Sequence, residues 1–437
     1  MADHLPPVFL GIDCGTSKVA VAVIDAAGGQ LHAASQAHHA DLPAPAGRHE
    51  QDACRIIGVA EALVQALPTA LRQRVAALGF TGQMHGVVLH DAGGNSRSPL
   101  VTWQDRRALE EPSFLPSLGR PLHAGYGMAT LAWWARSGGV PPGTRAATIH
   151  GLLAARWSGR ERAAIDPTDA QAWGGVAPLP GLAGAVLPEA VDHGAVIGRL
   201  QRHHALHLGL SGDLPLIAPL GDNQASLRAT LGDPLHDLSL TIGTGCQLAA
   251  VVPRAQAIAL GHAERRPYDA EHDLIVAAPL CGGAAWRWLA QRAAAWVGDL
   301  TGAAPELETI YARLDGLGMA ADDALTFAPH LAGERHDATL SGSLGGLRLD
   351  NGSLGQLARA VARGIVANAC KLLPAAARHG RTRVVASGNA LRRSELLRTM
   401  AVQELGLPLL LGDWQEEAAT GAAMVAADAS ARADRRI

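Results

Sequence analysis

Glycine turns that close apolar strands are the first places in this chain where chemistry could occur. Asp13-Cys14-Gly15-Thr16-Ser17-Lys18 follows the apolar run Val8-Phe9-Leu10-Gly11-Ile12. A glycine in such a turn lets backbone N–H groups approach an anion with no Cβ in the way. Thr16 and Ser17 add hydroxyl donors, and Lys18 adds a compact positive charge. An aspartate ending the strand can hold Mg2+ through water. The same residue types favour an ordinary hairpin turn, so this segment alone leaves both readings open. Gly243-Thr244-Gly245 is a second candidate phosphate turn. Gly282-Gly283 opens a helical run whose first amides could meet phosphate or ribose. Ser387-Gly388-Asn389 ends an apolar strand, the usual ligand position in α/β sheets. Neither GxxxxGK[ST] nor GxGxxG is present, so a nucleotide is expected between two hairpin loops on two domains.

These turns need strands to hold them. Val8–Ile12 and Val19–Ile24 predict one hairpin, and Leu238–Ile242 with Gln247–Val252 predict a second. The two Gly-Thr turns lie 243 − 15 = 228 residues apart, a spacing that suggests a duplicated domain. The last third alternates helix and strand. A helix is expected over 354–378 with Ser353 as its cap, a strand at 384–386, a helix to about 405, a strand over 407–411 and a final helix over 416–429. The class is therefore α/β.

Bulk properties narrow the options. A length of 437 predicts two domains. The 37 basic and 40 acidic residues leave a net charge of −3, which gives no footprint for nucleic acid. No run of 18 apolar residues predicts a membrane span, and no signal peptide is expected at the N-terminus. Five cysteines without a CxxC fit reduced thiols in a cytoplasmic protein. Only two of the basic residues are lysines, Lys18 and Lys371. That scarcity makes the position of Lys18, directly after the first turn, suggestive of a phosphate contact.

The chain resembles the FGGY family of carbohydrate kinases, within the superfamily of sugar kinases, actin and the Hsp70 ATPases. The resemblance runs over essentially the whole length. It rests on Gly11-Ile-Asp-Cys-Gly-Thr-Ser17, Thr81-Gly-Gln-Met-His-Gly86, Thr102-Trp-Gln-Asp-Arg-Arg107, Gly221-Asp-Asn-Gln-Ala225, Ile242-Gly-Thr-Gly-Cys-Gln247, Gly333-Glu-Arg-His336 and Ser387-Gly-Asn389. The stretches TGQMHGVVLHD, LVTWQDRR, TIHGLLAAR and GERHD are most similar to the sedoheptulokinase branch. The resemblance implies two duplicated ribonuclease-H-like domains, 1–226 and 227–437, with a cleft between them. The first would bind sugar and the second most of the nucleotide.

It also implies residue roles. Asp222 would be the general base that takes the proton of a primary hydroxyl attacking the γ-phosphorus of ATP. Gln83, Met84, His85, Trp103, Asp105 and Asn223 would recognise the sugar, with Met84 and Trp103 as apolar platforms for its C–H faces. Tyr126 is a further candidate for that pocket. Asp13, Gly15, Thr16, Ser17, Lys18, Gly243, Thr244 and Gly245 would surround the phosphates. Gly283 and Arg287 would meet the ribose–phosphate region, Gly388 and Asn389 the adenine pocket, and Arg392 would stack on the base. Mg2+ would be held by ATP with Asp13 and Asp222. Glycerol kinases carry an Arg-Glu pair where Met84-His85 stand, so a ketose is the implied substrate and sedoheptulose 7-phosphate the implied product. A xylulokinase-like pentulose kinase is the alternative. A non-catalytic nucleotide-binding protein of the actin or Hsp70 kind would not need the 83–85 and 103–105 segments. No nucleic-acid or membrane partner is expected, and a homodimer is compatible with the pattern.

Overall fold

The computed structural model describes residues 5–182, 186–412 and 414–434. Two compact units emerge, one running to Thr230 and resuming at Trp414, the other spanning Leu231 to the residue before Trp414.

The first unit is built on a seven-stranded sheet. Its strands are β1 (Val8–Cys14), β2 (Lys18–Asp25), β3 (Gln30–Ala37), β4 (Val75–Gly82), β5 (Val196–Arg199), β6 (Pro215–Ile217) and β7 (Leu220–Gly221). The order is β5-β6-β4-β1-β2-β3, with β7 also pairing to β4. β1 runs antiparallel to β2 and parallel to β4. Apolar residues on both faces of β1 are buried, as its near-continuous apolar sequence requires. Helix α1 (Ala53–Ala66) covers one face and is capped by Asp52, whose carboxylate accepts from the Cys54 and Arg55 amides.

The second unit repeats the plan. Its strands are β8 (Asp237–Ile242), β9 (Cys246–Pro253), β10 (Glu264–Pro267), β11 (His272–Ala277), β12 (Arg383–Ser387) and β13 (Leu409–Leu411). The order is β10-β11-β9-β8-β12-β13. β8 is antiparallel to β9 and parallel to β12, the same neighbours that β1 has in β2 and β4. The expected duplication of ribonuclease-H-like α/β domains is therefore present.

The division differs from the single boundary at 226/227 expected from sequence. The last helix, Glu417–Asp434, packs on β1, β4 and the helix Asp222–Thr230 of the first unit. Its small residues explain this. A Cβ on Gly11 would stand 1.8 Å from the Ala419 carbonyl oxygen, and one on Gly79 would stand 2.0 Å from that of Ala422. Glycines in the sheet and alanines on the helix allow an approach that larger side chains would block. The helix expected over 354–378 instead ends at Leu372, because Pro374 interrupts it. Its start keeps the expected Ser353 cap, completed by Gln356 into a capping box.

Candidate active site

Strand register gathers the two aspartates. In the β1–β4 pair Asp13 lies beside Thr81 and Cys14 beside Gly82. In the β4–β7 pair Thr81 lies beside Leu220 and Gly82 beside Gly221, immediately before Asp222. Asp13 and Asp222 thus stand at the same C-terminal edge of parallel strands. Burial, reinforced by the nearby Asp222 carboxylate, pushes the Asp13 carboxyl up to about 7. Burial likewise pushes Asp222 up to about 6, opposed by His150 and reinforced by Asp169. Asp13 Oδ1 is buried without a hydrogen-bond partner. Among the described residues no group of three or more His, Cys, Asp or Glu is arranged to hold a metal. A pair of carboxylates with an unsatisfied oxygen fits Mg2+, which is usually bound by one or two carboxylates plus substrate phosphates.

The turn 83–86 sits beside this edge. Gln83 is 1% exposed and its Nε2 donates to Gln51 Oε1 at 2.9 Å, while its own Oε1 has no protein donor. Gln51 in turn donates to the Thr16 carbonyl at 2.8 Å, tying the 83–86 turn to the Gly15-Thr16 turn. The Met84 methyl lies over Gly221, where a Cβ would come within 2.5 Å of it. His85 adopts φ 74°, unusual for a non-glycine residue. It is held there by a hydrogen bond between its Nδ1 and the Ala172 carbonyl and by stacking on Tyr126, centroids 4.9 Å apart. The Trp103 indole, 43% exposed, donates to Thr16 Oγ1 at 3.1 Å. Asn223 follows Asp222 in the first turn of its helix. Gln83, Met84, His85, Trp103, Asn223, Asp13, Gly15, Thr16, Ser17 and Asp222 all fall in the first unit.

Two candidate residues in this unit are engaged by other side chains. Asp105 is fully buried, and both its oxygens are occupied. Oδ1 accepts from Arg107 N and Nε at 2.9 and 2.8 Å, and Oδ2 accepts from His49 N and the Arg107 guanidinium at 2.8 and 2.9 Å. Nothing is left for a sugar hydroxyl, so Asp105 braces the loop that carries Trp103. Lys18 is likewise engaged. Its ammonium meets both carboxylate oxygens of Glu416 at 2.7 and 2.6 Å, joining the first hairpin to the segment that leads into the last helix.

The second unit holds a cavity of about 890 Å3. Gly243, Thr244, Gly283, Arg287 and Asn389 line it. Gly283 lies so close to the Gly243 carbonyl that a Cβ would come within 2.4 Å of it. Gly388 takes φ 94°, and a Cβ there would come within 2.5 Å of the Ile242 carbonyl oxygen. Gly245 packs against Gly282 in the same way. Arg392 is also engaged elsewhere. Its guanidinium donates to the Gly412 carbonyl at 3.0 Å and does not line the cavity. Sequence reasoning missed Glu308, Tyr311 and Asp315, which line the cavity from the helix Leu307–Ala320. Their i, i+3, i+7 spacing was the available signal. The neighbouring Arg393 pairs with Glu308 at 2.7 Å on the cavity rim.

This geometry meets known proteins on the same ground. The model of the N-terminal domain of the FGGY family of carbohydrate kinases matches residues 8–124. Sedoheptulokinase from Mus musculus is 32% identical over 96% of this chain and 97% of its own length. The chain belongs to the FGGY family of carbohydrate kinases. Sedoheptulokinase from Homo sapiens is 31% identical with the same coverage. The structure of xylulose kinase from Rhodospirillum rubrum superposes with a TM-score of 0.80 at 22% identity, covering 97% of this chain and 90% of that one. As an FGGY kinase, the protein is a phosphotransferase acting on a sugar hydroxyl. No described helix is long and apolar enough to cross a membrane.

Proposed function

We propose that this FGGY kinase transfers the γ-phosphoryl group of ATP to the terminal primary hydroxyl of sedoheptulose, giving the 7-phosphate. The observation that carries the reading is full-length similarity to two sedoheptulokinases, joined to paired carboxylates beside a sugar-sized set of polar and apolar side chains. Asp222 accepts the hydroxyl proton as the sugar oxygen bonds to the γ-phosphorus and the bond to the ADP oxygen breaks. Its raised proton affinity, near 6, suits a base working close to neutral pH. Gln83 Oε1 offers an acceptor to a sugar hydroxyl, and Met84 and Trp103 offer apolar surfaces to its C–H faces. The Gly15 turn with Thr16 and Ser17 offers amide and hydroxyl donors suited to phosphate, and Thr244, Gly283, Arg287 and Asn389 line the pocket for the nucleotide in the second unit. Asp13, with Asp222, would hold Mg2+, which would supply neutralising charge to the phosphates. Five unpaired cysteines fit a cytoplasmic setting.

The test is a coupled ADP-release assay across sedoheptulose, D-xylulose, L-ribulose and glycerol, run on the wild type and on Asp222→Asn. Sedoheptulose should give the highest kcat/KM, and Asp222→Asn should lose turnover while ATP binding persists. A clear preference for D-xylulose would assign the protein to pentulose phosphorylation. Near-wild-type turnover by Asp222→Asn would remove the base from Asp222.

A further inference from the structure

The peptide that presents Asp222 is clamped on both sides by buried threonines. Thr81 Oγ1 donates to the Leu220 carbonyl at 2.8 Å, and Gly221 N donates to Thr168 Oγ1 at 3.0 Å. Both threonines are essentially excluded from solvent, at 0% and 2% exposure. The Thr168 hydroxyl acts as an acceptor toward Gly221 because its own proton is committed elsewhere. It donates to Asp166 Oδ1 at 2.6 Å. Asp166 is itself held in place. It caps the helix Pro167–Ala172 by accepting from the Thr168 and Asp169 amides, and its other oxygen pairs with His193 Nδ1 at 2.8 Å. A chain His193–Asp166–Thr168 therefore ends on the backbone N–H one residue before Asp222.

The other end of this six-residue helix reaches the sugar-side turn. The Ala172 carbonyl bonds to His85 Nδ1, and Trp173 Nε1 donates to the Gly86 carbonyl at 3.0 Å. One rigid element, about 9 Å long, thus touches both the peptide carrying Asp222 and the turn carrying Gln83, Met84 and His85.

We propose that Thr168 is a positioning residue for phosphoryl transfer, its hydroxyl fixing the Leu220–Gly221 peptide, and through it the adjoining Asp222, at a set place relative to the sugar-recognition turn. The proposal rests on the reading of Asp222 as the base. It makes a buried hydrogen bond serve geometry at the reacting hydroxyl. A displacement of about 1 Å at such a centre can lower the rate on the order of 100-fold.

The experiment compares Thr168→Val, Thr168→Ser and Asp222→Asn with the wild type, on sedoheptulose and ATP, well below each thermal midpoint. Valine keeps the shape and removes the acceptor; serine keeps the acceptor. Thr168→Val should lose about 10- to 100-fold in kcat with KM for both substrates within about threefold, and Thr168→Ser should stay within about threefold of wild type throughout. If Thr168→Val does not fold, Thr168→Cys replaces it with the same expectation, since a thiol is a weak acceptor. A Thr168→Val enzyme of wild-type kcat, whatever its thermal midpoint, overturns the proposal. So does a folded Thr168→Ser enzyme as slow as the valine variant. Retained turnover in Asp222→Asn overturns the base assignment instead, so the two failures are distinct.

Discussion

Asp105 offers the sharpest test of how tertiary structure reassigns a motif residue. Its motif neighbours suggest a sugar ligand, whereas its four hydrogen bonds describe a brace. Asp105→Ala would leave the Arg107 guanidinium, 4% exposed, with Glu50 at 2.6 Å as its remaining carboxylate partner. It would also leave the half-buried His49 N–H without this acceptor. Removing one partner of a buried ion pair costs about 3–5 kcal/mol. For a unit of this size each kcal/mol moves the midpoint by about 2–4 °C, so a fall of roughly 6–20 °C is expected. Thermal unfolding read by circular dichroism measures it, alongside KM for the sugar at a temperature where the variant is folded. Sugar KM should change by less than about threefold, apart from any indirect shift of Trp103. The reasoning is refuted if the midpoint moves by less than about 2 °C while KM for the sugar rises tenfold or more. That outcome would mean that Asp105 meets the substrate and that its contacts with Arg107 contribute little.

Two further predictions follow from the same geometry. Lys18→Ala removes a half-exposed ion pair with Glu416, so it should cost at most about 1 kcal/mol in urea unfolding and leave KM for ATP within twofold; a tenfold rise in that KM would return Lys18 to the phosphates. Asp13 keeps its proton in the folded protein up to about pH 7, whereas an unfolded aspartate loses it near 4. Unfolding between those values releases a proton, so wild-type stability without Mg2+ or nucleotide should fall as pH rises from about 4 to about 7, by on the order of 2–4 kcal/mol. Asp13→Asn should lessen that slope, leaving the part that the raised Asp222 carboxyl contributes, and be more stable than wild type at pH 8, with the difference vanishing toward pH 4; a pH-independent difference would contradict the burial argument.

Much of the site was legible because its chemistry is local. A glycine turn closing an apolar strand, as at Asp13-Cys14-Gly15-Thr16, carries its own donors and its own strand, and both hairpins appear where β-branched runs predicted them. Gly243, Thr244, Gly283, Arg287 and Asn389 met in one cavity because they lie in a turn between strands or in the opening turns of helices of the second unit. Tyr311 and Glu308 escaped notice because a helix face declares its spacing without declaring what it faces.

What a residue of suitable type does once placed depends on which partner claims it, and such partners lie far away in sequence. Asp105 and Lys18 are both charged motif residues, yet the first is consumed by Arg107 and the His49 amide and the second by Glu416, 398 residues on. Arg392 is taken by the Gly412 carbonyl. The last helix belongs to the first sheet because Gly11 and Gly79 leave room for alanines, a fit between surfaces that no local pattern encodes. Residue types and spacing determined the family, the strands and the pair of aspartates. Packing decided which charges remain available to a substrate, because a buried polar group must be satisfied by whatever the fold brings beside it.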